Sequence, residues 1–436
     1  MASRAACVVF VLAAWTLAAP SMALAEEVPI IMNTGDTAWV LMSAALVLLM
    51  TPGLALFYGG MVRPKNVLSS LMHSFVAMGV MTVQWVVLGY SLSFSEGNAF
   101  IGGTGYLLLD GVANDSPWPG YTIPHSVFMI FQMMFAIITP ALISGAVAER
   151  MKFSTYVVFI LLWGTLVYDP ICHWVWASDG WLFKMGALDF AGGTVVHISS
   201  GVSALALTLL LGRRIGYPHT PMKPHNLGMT LLGTALLWFG WFGFNGGSAL
   251  GANATAANAF VVTHVAAATA AITWSIIEAT HRGKASALGF ASGAVAGLVG
   301  ITPACGFVGV GGALAIGVTV ALACYGGVML KHRLGYDDSL DSFGVHGVGG
   351  TWGAIATGIF CLTALTPDKA GGLLDAGNVG RVGVQLAGAA ATIAYAFVVT
   401  MILAKVLDAA MGLRVSEEDE RHGIDLTTHG ETGYDL

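Results

Sequence analysis

The stretch GGTVVHISSGVSALALTLLLG, Gly192 to Gly212, runs between Asp189 and Arg213 without a fixed charge, yet it carries His197 near its start. An apolar run of about 17 to 25 residues is what a helix needs to cross a bilayer's hydrocarbon core. The rest of the chain has the same character. Of its 436 residues 56% are hydrophobic and 10% are charged, with a mean hydropathy of +0.76, where a soluble domain carries about 25% charge. So few charges cannot coat a water-facing globule, whereas a helical bundle solvated by lipid needs few. The fold class is an all-α polytopic membrane protein.

Eleven apolar segments read as spans: 37–60, 66–93, 122–148, 154–171, 190–212, 226–245, 255–280, 285–301, 306–329, 342–366 and 382–410. The segments 154–171 and 285–301 are short and Pro303 could mark a re-entrant turn, so ten or twelve spans stay open. Ahead of them, Arg4, the apolar run Ala5 to Ala19, Pro20 and Ala23-Leu24-Ala25 have the pattern of a signal peptide over 1–25. That leaves a membrane domain, 26–411, and a polar tail, 412–436. Removal of the leader puts the new amino terminus outside, and the charges test this topology. Lys184, Lys369 and Arg381 fall outside, Arg4 lies in the leader, and the other fourteen of the 18 Lys and Arg fall inside, as the positive-inside rule requires. An odd span count with a cytoplasmic tail follows.

Several function classes find no support. Cys7 lies in the leader and Cys172, Cys305, Cys324 and Cys361 are scattered, so neither a disulfide framework nor a metal site is readable. There is no nucleotide loop, ATPase motif, catalytic carboxylate pair or basic stripe for nucleic acid. An enzyme or a primary pump is not indicated.

A weak internal repeat is present. Val196-His197-Ile198-Ser199-Ser200-Gly201 resembles Val345-His346-Gly347-Val348-Gly349-Gly350, and Ile138-Thr139-Pro140-Ala141 recurs as Ile301-Thr302-Pro303-Ala304. Each pair lies five spans apart, and an odd offset reverses direction across the membrane. That is the pattern of an inverted repeat, about 37–212 and 226–366 with a final helix 382–410, which places a site between the halves.

His197 lies eight residues past Asp189, about 12 Å along a helix at 1.5 Å per residue. His346 lies five past Asp341 and enters from the opposite face. Ionisable groups at such depth face a bundle interior or a pathway, and a neutral imidazole both donates and accepts hydrogen bonds. Three readings of the pair stay open: a packing bond between helices, a path for a small polar solute or a proton, and bis-histidine haem ligation. Aromatic residues gather near them, with Phe131, Phe135, Trp174, Trp176, Trp238, Trp241 and Phe244. Phe244 is followed by Asn245-Gly246-Gly247-Ser248, where an aromatic face and a hydroxyl meet the needs of a small cation.

The chain resembles the ammonium transporters of the Amt/Mep/Rh family, and closely their bacterial Amt branch. The resemblance rests on PGLALFYGGMVRPKNVLS (52–69), GAVAERMKFS (145–154), GALDFAGGTVVHI (186–198), KPHN (223–226), GWFGFNGGSA (240–249), GLVGITPACGFVGVGGA (297–313), FGVHGVGG (343–350) and the tail GLRVSEEDERHGIDLTTHGE (412–431). It implies a homotrimer with one pore per subunit and no cofactor. It also implies an outer site for NH4+ at Trp176, Phe135 and Ser248, supported by Asp189, with Trp174 and Trp181 as neighbours that compete for the tryptophan's place. Phe135 and Phe244 match a phenyl gate, His197 and His346 the twin histidines of a hydrophobic pore for NH3, and Trp241 a pore-lining residue. Asp189 reads equally as a helix cap. Composition makes the acidic tail a solvated end, whereas the resemblance implies a folded segment that touches a neighbouring subunit and a PII signal protein.

Overall fold

The computed structural model describes residues 31–435, so the signal peptide read over 1–25 lies outside the described residues. Nine helical stretches among them are long and apolar enough to cross a membrane. In chain order the helices are α1 (Thr34–Met61), α2 (Pro64–Phe94), α3 (His125–Val147), α4 (Phe153–Trp163, continued by Gly164–Tyr168 and Asp169–Trp176), α5 (Gly193–Leu211), α6 (Leu227–Gly247), α7 (Ala254–Arg282), α8 (Ala287–Ile301), α9 (Val310–Leu334), α10 (Phe343–Gly347 with Val348–Phe360) and α11 (Val379–Met411). The shorter α8 and α10 occupy the segments read at 285–301 and 342–366.

The helix ends depart from the hydropathy boundaries for local reasons. The first N–H groups of a helix need acceptors, and side chains of Asn33, Asn226, Asn253, Ser286 and Asn378 accept from the backbone three residues on, which fixes the starts of α1, α6, α7, α8 and α11. The segment read at 122–148 becomes helical only at His125, because Pro124 holds an extended backbone. That read at 342–366 stops at Phe360, where Cys361 turns extended. The segment read at 154–171 runs on to Trp176 through a π turn at Gly164–Tyr168.

Helices five apart in the chain meet backbone to backbone. On α6 a Cβ at Gly233 would collide with the α1 backbone at Phe57 and Gly53, and on α5 one at Gly201 would collide with the α10 backbone at Gly347. Gly350 of α10 faces Gly193 and His197 in the same way. Small residues permit such approach where lipid supplies no hydrophobic drive between helices, and they bring the two histidine-bearing helices together.

The loops collect into two polar ends. At one end Glu149, buried in the α3–α4 turn, accepts from Arg63 (2.8 Å) and Arg214 (3.1 Å), and Arg214 also pairs with Asp337 at 2.8 Å. Burial alone would raise the Glu149 carboxyl, but Arg214 and Arg63 outweigh it and hold the group below its ordinary value.

The tail folds onto this network rather than extending into solvent as its composition predicted. Val415 N–H donates to Arg150 and Lys152 N–H to Leu413. Glu420, within a short helix α12 (Glu417–His422), is 1% exposed; it accepts from Ile215 N–H at 2.6 Å and from Arg414 at 2.7 Å. Further on, the Asp425 carboxylate takes the N–H groups of Leu68 (3.0 Å) and Ser69 (2.7 Å) at the start of α2, and Tyr434 hydroxyl bonds His225 at 2.8 Å. Removing Glu420 orphans Ile215 N–H and frees Arg414, a loss of about 1–3 kcal/mol. Limited trypsin digestion of Glu420→Ala should therefore cut after Arg414 or Arg421 about tenfold faster than in wild type, since cleavage follows the open population.

Candidate functional site

Between Trp176 at the end of α4 and Gly193 at the start of α5, the chain turns at Asp189. The four N–H groups of Gly192 (3.0 Å), Gly193 (2.6 Å), Thr194 (2.8 Å) and Val195 (3.1 Å) all donate to its carboxylate. Gly192 has φ 109°, which lets the chain double back over the carboxylate. Both oxygens are thus occupied by the backbone, so Asp189 caps the start of α5. Its own carbonyl accepts from Trp176 Nε1 at 2.9 Å.

From Trp176 a file of rings leads inward. Trp176 meets Phe135 edge-on at 5.7 Å, Phe135 packs on Phe244 at 4.4 Å, and Phe244 lies 6.0 Å from the ring of His197. His197 lies 5.3 Å from His346, ring centre to ring centre, with their Nδ1 atoms 3.3 Å apart. Of the three candidate tryptophans only Trp176 joins this file. Trp174 donates to the Phe100 carbonyl at 2.7 Å and packs on Tyr395 and Trp181. Trp241 stacks on His197 at 5.5 Å and donates to Thr302 Oγ1 at 2.8 Å. Ser248 stands one turn past Phe244, its hydroxyl donating to the Phe244 carbonyl at 2.8 Å and keeping its lone pairs free.

Sequence spacing could not say whether the two imidazoles meet; the structure puts them in hydrogen-bond range. A hydrogen bond between the two Nδ1 atoms requires one of them to donate and the other to accept. His197 Nε2 is buried without a protein partner. The imidazoles bond each other directly, with ring centres 5.3 Å apart and no space between them for a macrocycle, so the arrangement does not fit the haem reading. The rings of His197, Trp241, Phe244 and His346 line a narrow cavity that is otherwise walled by Met50, Leu54, Phe57, Ile138 and further apolar side chains. A second narrow cavity shares Phe57, Val295 and His346 with it and adds Tyr58, Ser342 and Asp341 toward the tail end. This arrangement suits a small neutral solute that donates and accepts hydrogen bonds, and opposes a permanent ion.

One residue of the site was missed. His346 sits in a π turn, Phe343–Gly347, as His197 does in Gly193–Ile198, and the carboxylate at the start of its turn is Asp338, not Asp341. Asp338 accepts from Ser342 N–H (3.1 Å) and Phe343 N–H (2.8 Å), while Asp341 pairs with Lys331. Burial pushes the Asp338 carboxyl up to about 6, with Lys331 pulling it down and Asp341 adding to the rise. The signal was available: Asp338 precedes His346 by eight residues, as Asp189 precedes His197.

With this geometry in place, comparison with known proteins is informative. Residues 38–434 match the model of the Ammonium Transporter Family. An ammonium transporter of Bacillus subtilis is 50% identical over 404 residues, covering 92% of this chain and 99% of that one. Among solved structures, Candida albicans Mep2 superposes with a TM-score of 0.84 at 37% identity over 89% of this chain and 88% of that one. A protein described as a sensor Amt superposes with a TM-score of 0.84 at 29% identity over 90% and 98%.

The cap at Asp189 can be tested directly. Asn offers one acceptor oxygen and turns an NH2 group toward N–H donors, so Asp189→Asn should cost about 2 kcal/mol or more. Its amides at Gly192–Val195 should exchange with deuterium faster than those of wild type. Unchanged protection of these four amides would show that the carboxylate does not hold the turn.

Proposed function

The chain belongs to the ammonium transporter family, and on that premise we propose that it takes up ammonium by recruiting NH4+ at an outer site, deprotonating it and conducting NH3 through the histidine-lined pore. The observation that carries this reading is the unbroken file Trp176, Phe135, Phe244, His197, His346. Trp176, Phe135 and Ser248 recruit the cation by cation–π attraction and a hydroxyl acceptor, with the negative charge of Asp189 behind Trp176. Phe135 and Phe244 form the gate. An intact ion in a cavity walled by apolar groups loses several kcal/mol of solvation, whereas neutral NH3 keeps hydrogen bonding to the imidazoles. Potassium makes the same cation–π contact but has no proton to release. Proton transfer along the pair makes transport electrogenic; a proton left outside makes the pore a gas channel.

The membrane domain, 26–411, holds eleven spans arranged as two inverted repeats and a final helix, in the inner membrane of a bacterium. After removal of residues 1–25 the amino terminus lies outside and the tail in the cytoplasm. The excess of Lys and Arg on the tail side supports this orientation, and the twin capped π turns of α5 and α10 support the repeat.

The subunits form a homotrimer. His264, midway along α7, is exposed beside Trp238 and Phe242 on a face that also presents Phe239 and Phe260. An imidazole is costly in lipid at that depth, which favours a second subunit on this face. A PII signal protein is the partner of the tail, and the likeness to a sensor Amt protein favours a second reading, an ammonium sensor whose output is PII binding. Binding of PII without flux in proteoliposomes would favour that reading.

Two measurements test the proposal. Currents on a solid-supported membrane should follow ammonium and methylammonium but not potassium, and His197→Ala with His346→Ala should lose current or selectivity. Equal potassium currents in wild type would sink the deprotonation scheme. Native mass spectrometry should give three chains, with fewer trimers for His264→Glu, which places a carboxylate on the shared face; a monomer in wild type would refute the assembly.

A further inference from the structure

The turn that carries Asp189 is gripped from outside by α11, a helix with no residue in the ring file. Arg381 donates from Nη1 to the Gly186 carbonyl at 2.9 Å and pairs through Nη2 with Asp368. One turn on, Gln385 takes both backbone groups of Leu188, the residue before Asp189. Leu188 N–H donates to its Oε1 at 2.7 Å, and its Nε2 donates back to the Leu188 carbonyl at 2.7 Å and to the Ala354 carbonyl of α10 at 3.0 Å. Gln385 is 3% exposed. The contact needs α11 close to α10, which Gly358 permits: a Cβ there would stand 3.0 Å from Val382 Cα and 3.1 Å from Gln385 Cγ.

Only a carboxamide supplies one acceptor and two donors in this space. Leu188 gains nothing as a side chain from the arrangement; what is fixed is its backbone, and through it the two groups on either side of Asp189. The carboxylate caps α5 below, and the carbonyl receives Trp176 Nε1 above. The same amide reaches Ala354 on the helix that carries His346. Gln385 therefore ties the outer turn directly to α10, and through Asp189 to the start of α5.

We propose that Gln385 is a positioning residue for ammonium recruitment, which acts through the Leu188 backbone to hold Trp176 and Asp189 in register over Phe135. This rests on the transport reading above, and its test separates the two. In proteoliposomes, Gln385→Leu should raise the ammonium concentration for half-maximal current about tenfold or more, as misplacement of a binding group does. The maximum current per folded protein should change far less. Gln385→Glu sets a carboxylate against two carbonyls. Its defect should shrink, relative to wild type at the same pH, as the acidity rises enough for a buried glutamate to take up a proton and donate again. A purely structural role would lower the amount of folded protein and the maximum current and leave half-saturation where it was.

Wild-type current with unchanged half-saturation in both folded variants overturns the inference alone. Absence of ammonium current in wild type overturns the transport reading and the inference with it. Should neither variant fold, deuterium exchange on wild type decides: slow exchange at Leu188 is expected, and fast exchange at Leu188 in the folded protein overturns the grip.

Discussion

Everything in the pore depends on how two helices begin inside the protein. A helix start leaves N–H groups without partners, and in a membrane no water is at hand to satisfy them. The Asp189 carboxylate takes four such groups at α5, and Asp338 takes two at α10. Each helix then opens with a π turn that carries its histidine. Moving either cap by one residue would rotate the imidazole that follows by about 100° away from its partner. The caps are therefore part of the geometry of the histidine pair even though neither carboxylate lines the cavity between them.

The two histidines can meet only because the helices that carry them cross closely. Gly201 against Gly347 and Gly350 against Gly193 set α5 on α10, and the ring of Pro303 closes over Gly193. This last contact joins the two sequence repeats physically: the Ile-Thr-Pro-Ala break after α8 seats on the start of the histidine segment. Thr302 in that break receives Trp241 Nε1, so the same four residues shape the turn and hold a ring of the pore wall.

Much of this was legible in the chain and some was not. Composition and run length found the helices because lipid imposes one solution on the backbone, and the Val-His pairs found the imidazoles because polar groups in apolar runs stand out. Asp338 was legible but passed over, since the nearer Asp341 drew the reading; equal spacing to the two histidines was the better guide. Gln385 was not legible. Its partners are backbone atoms 197 and 31 residues away, and no local pattern marks a side chain whose function is to bind another segment's main chain. The tail misled for the opposite reason: its acids imply solvation, yet Glu420 and Asp425 are buried acceptors for N–H groups of distant loops.

The distribution of charge bears on selectivity independently of any relative. Fixed charges lie at the two ends, with Asp189 at the outer turn and the network of Glu149, Arg214 and Asp337 under the tail. Between Phe244 and His346 the wall of the first cavity offers hydrogen-bonding groups but no counter-charge, and Asp341 stands only in the wall of the second. A cation that kept its charge would have to leave the outer carboxylate's field and cross this interval in a medium of low dielectric, where the Coulomb debt of separation is largest. A solute that sheds a proton at the rings escapes that cost and still finds imidazole partners on the way. On the proposed deprotonation scheme, the lack of counter-charge around the histidines, rather than the diameter of the gate, is what would separate ammonium from an alkali cation of similar size.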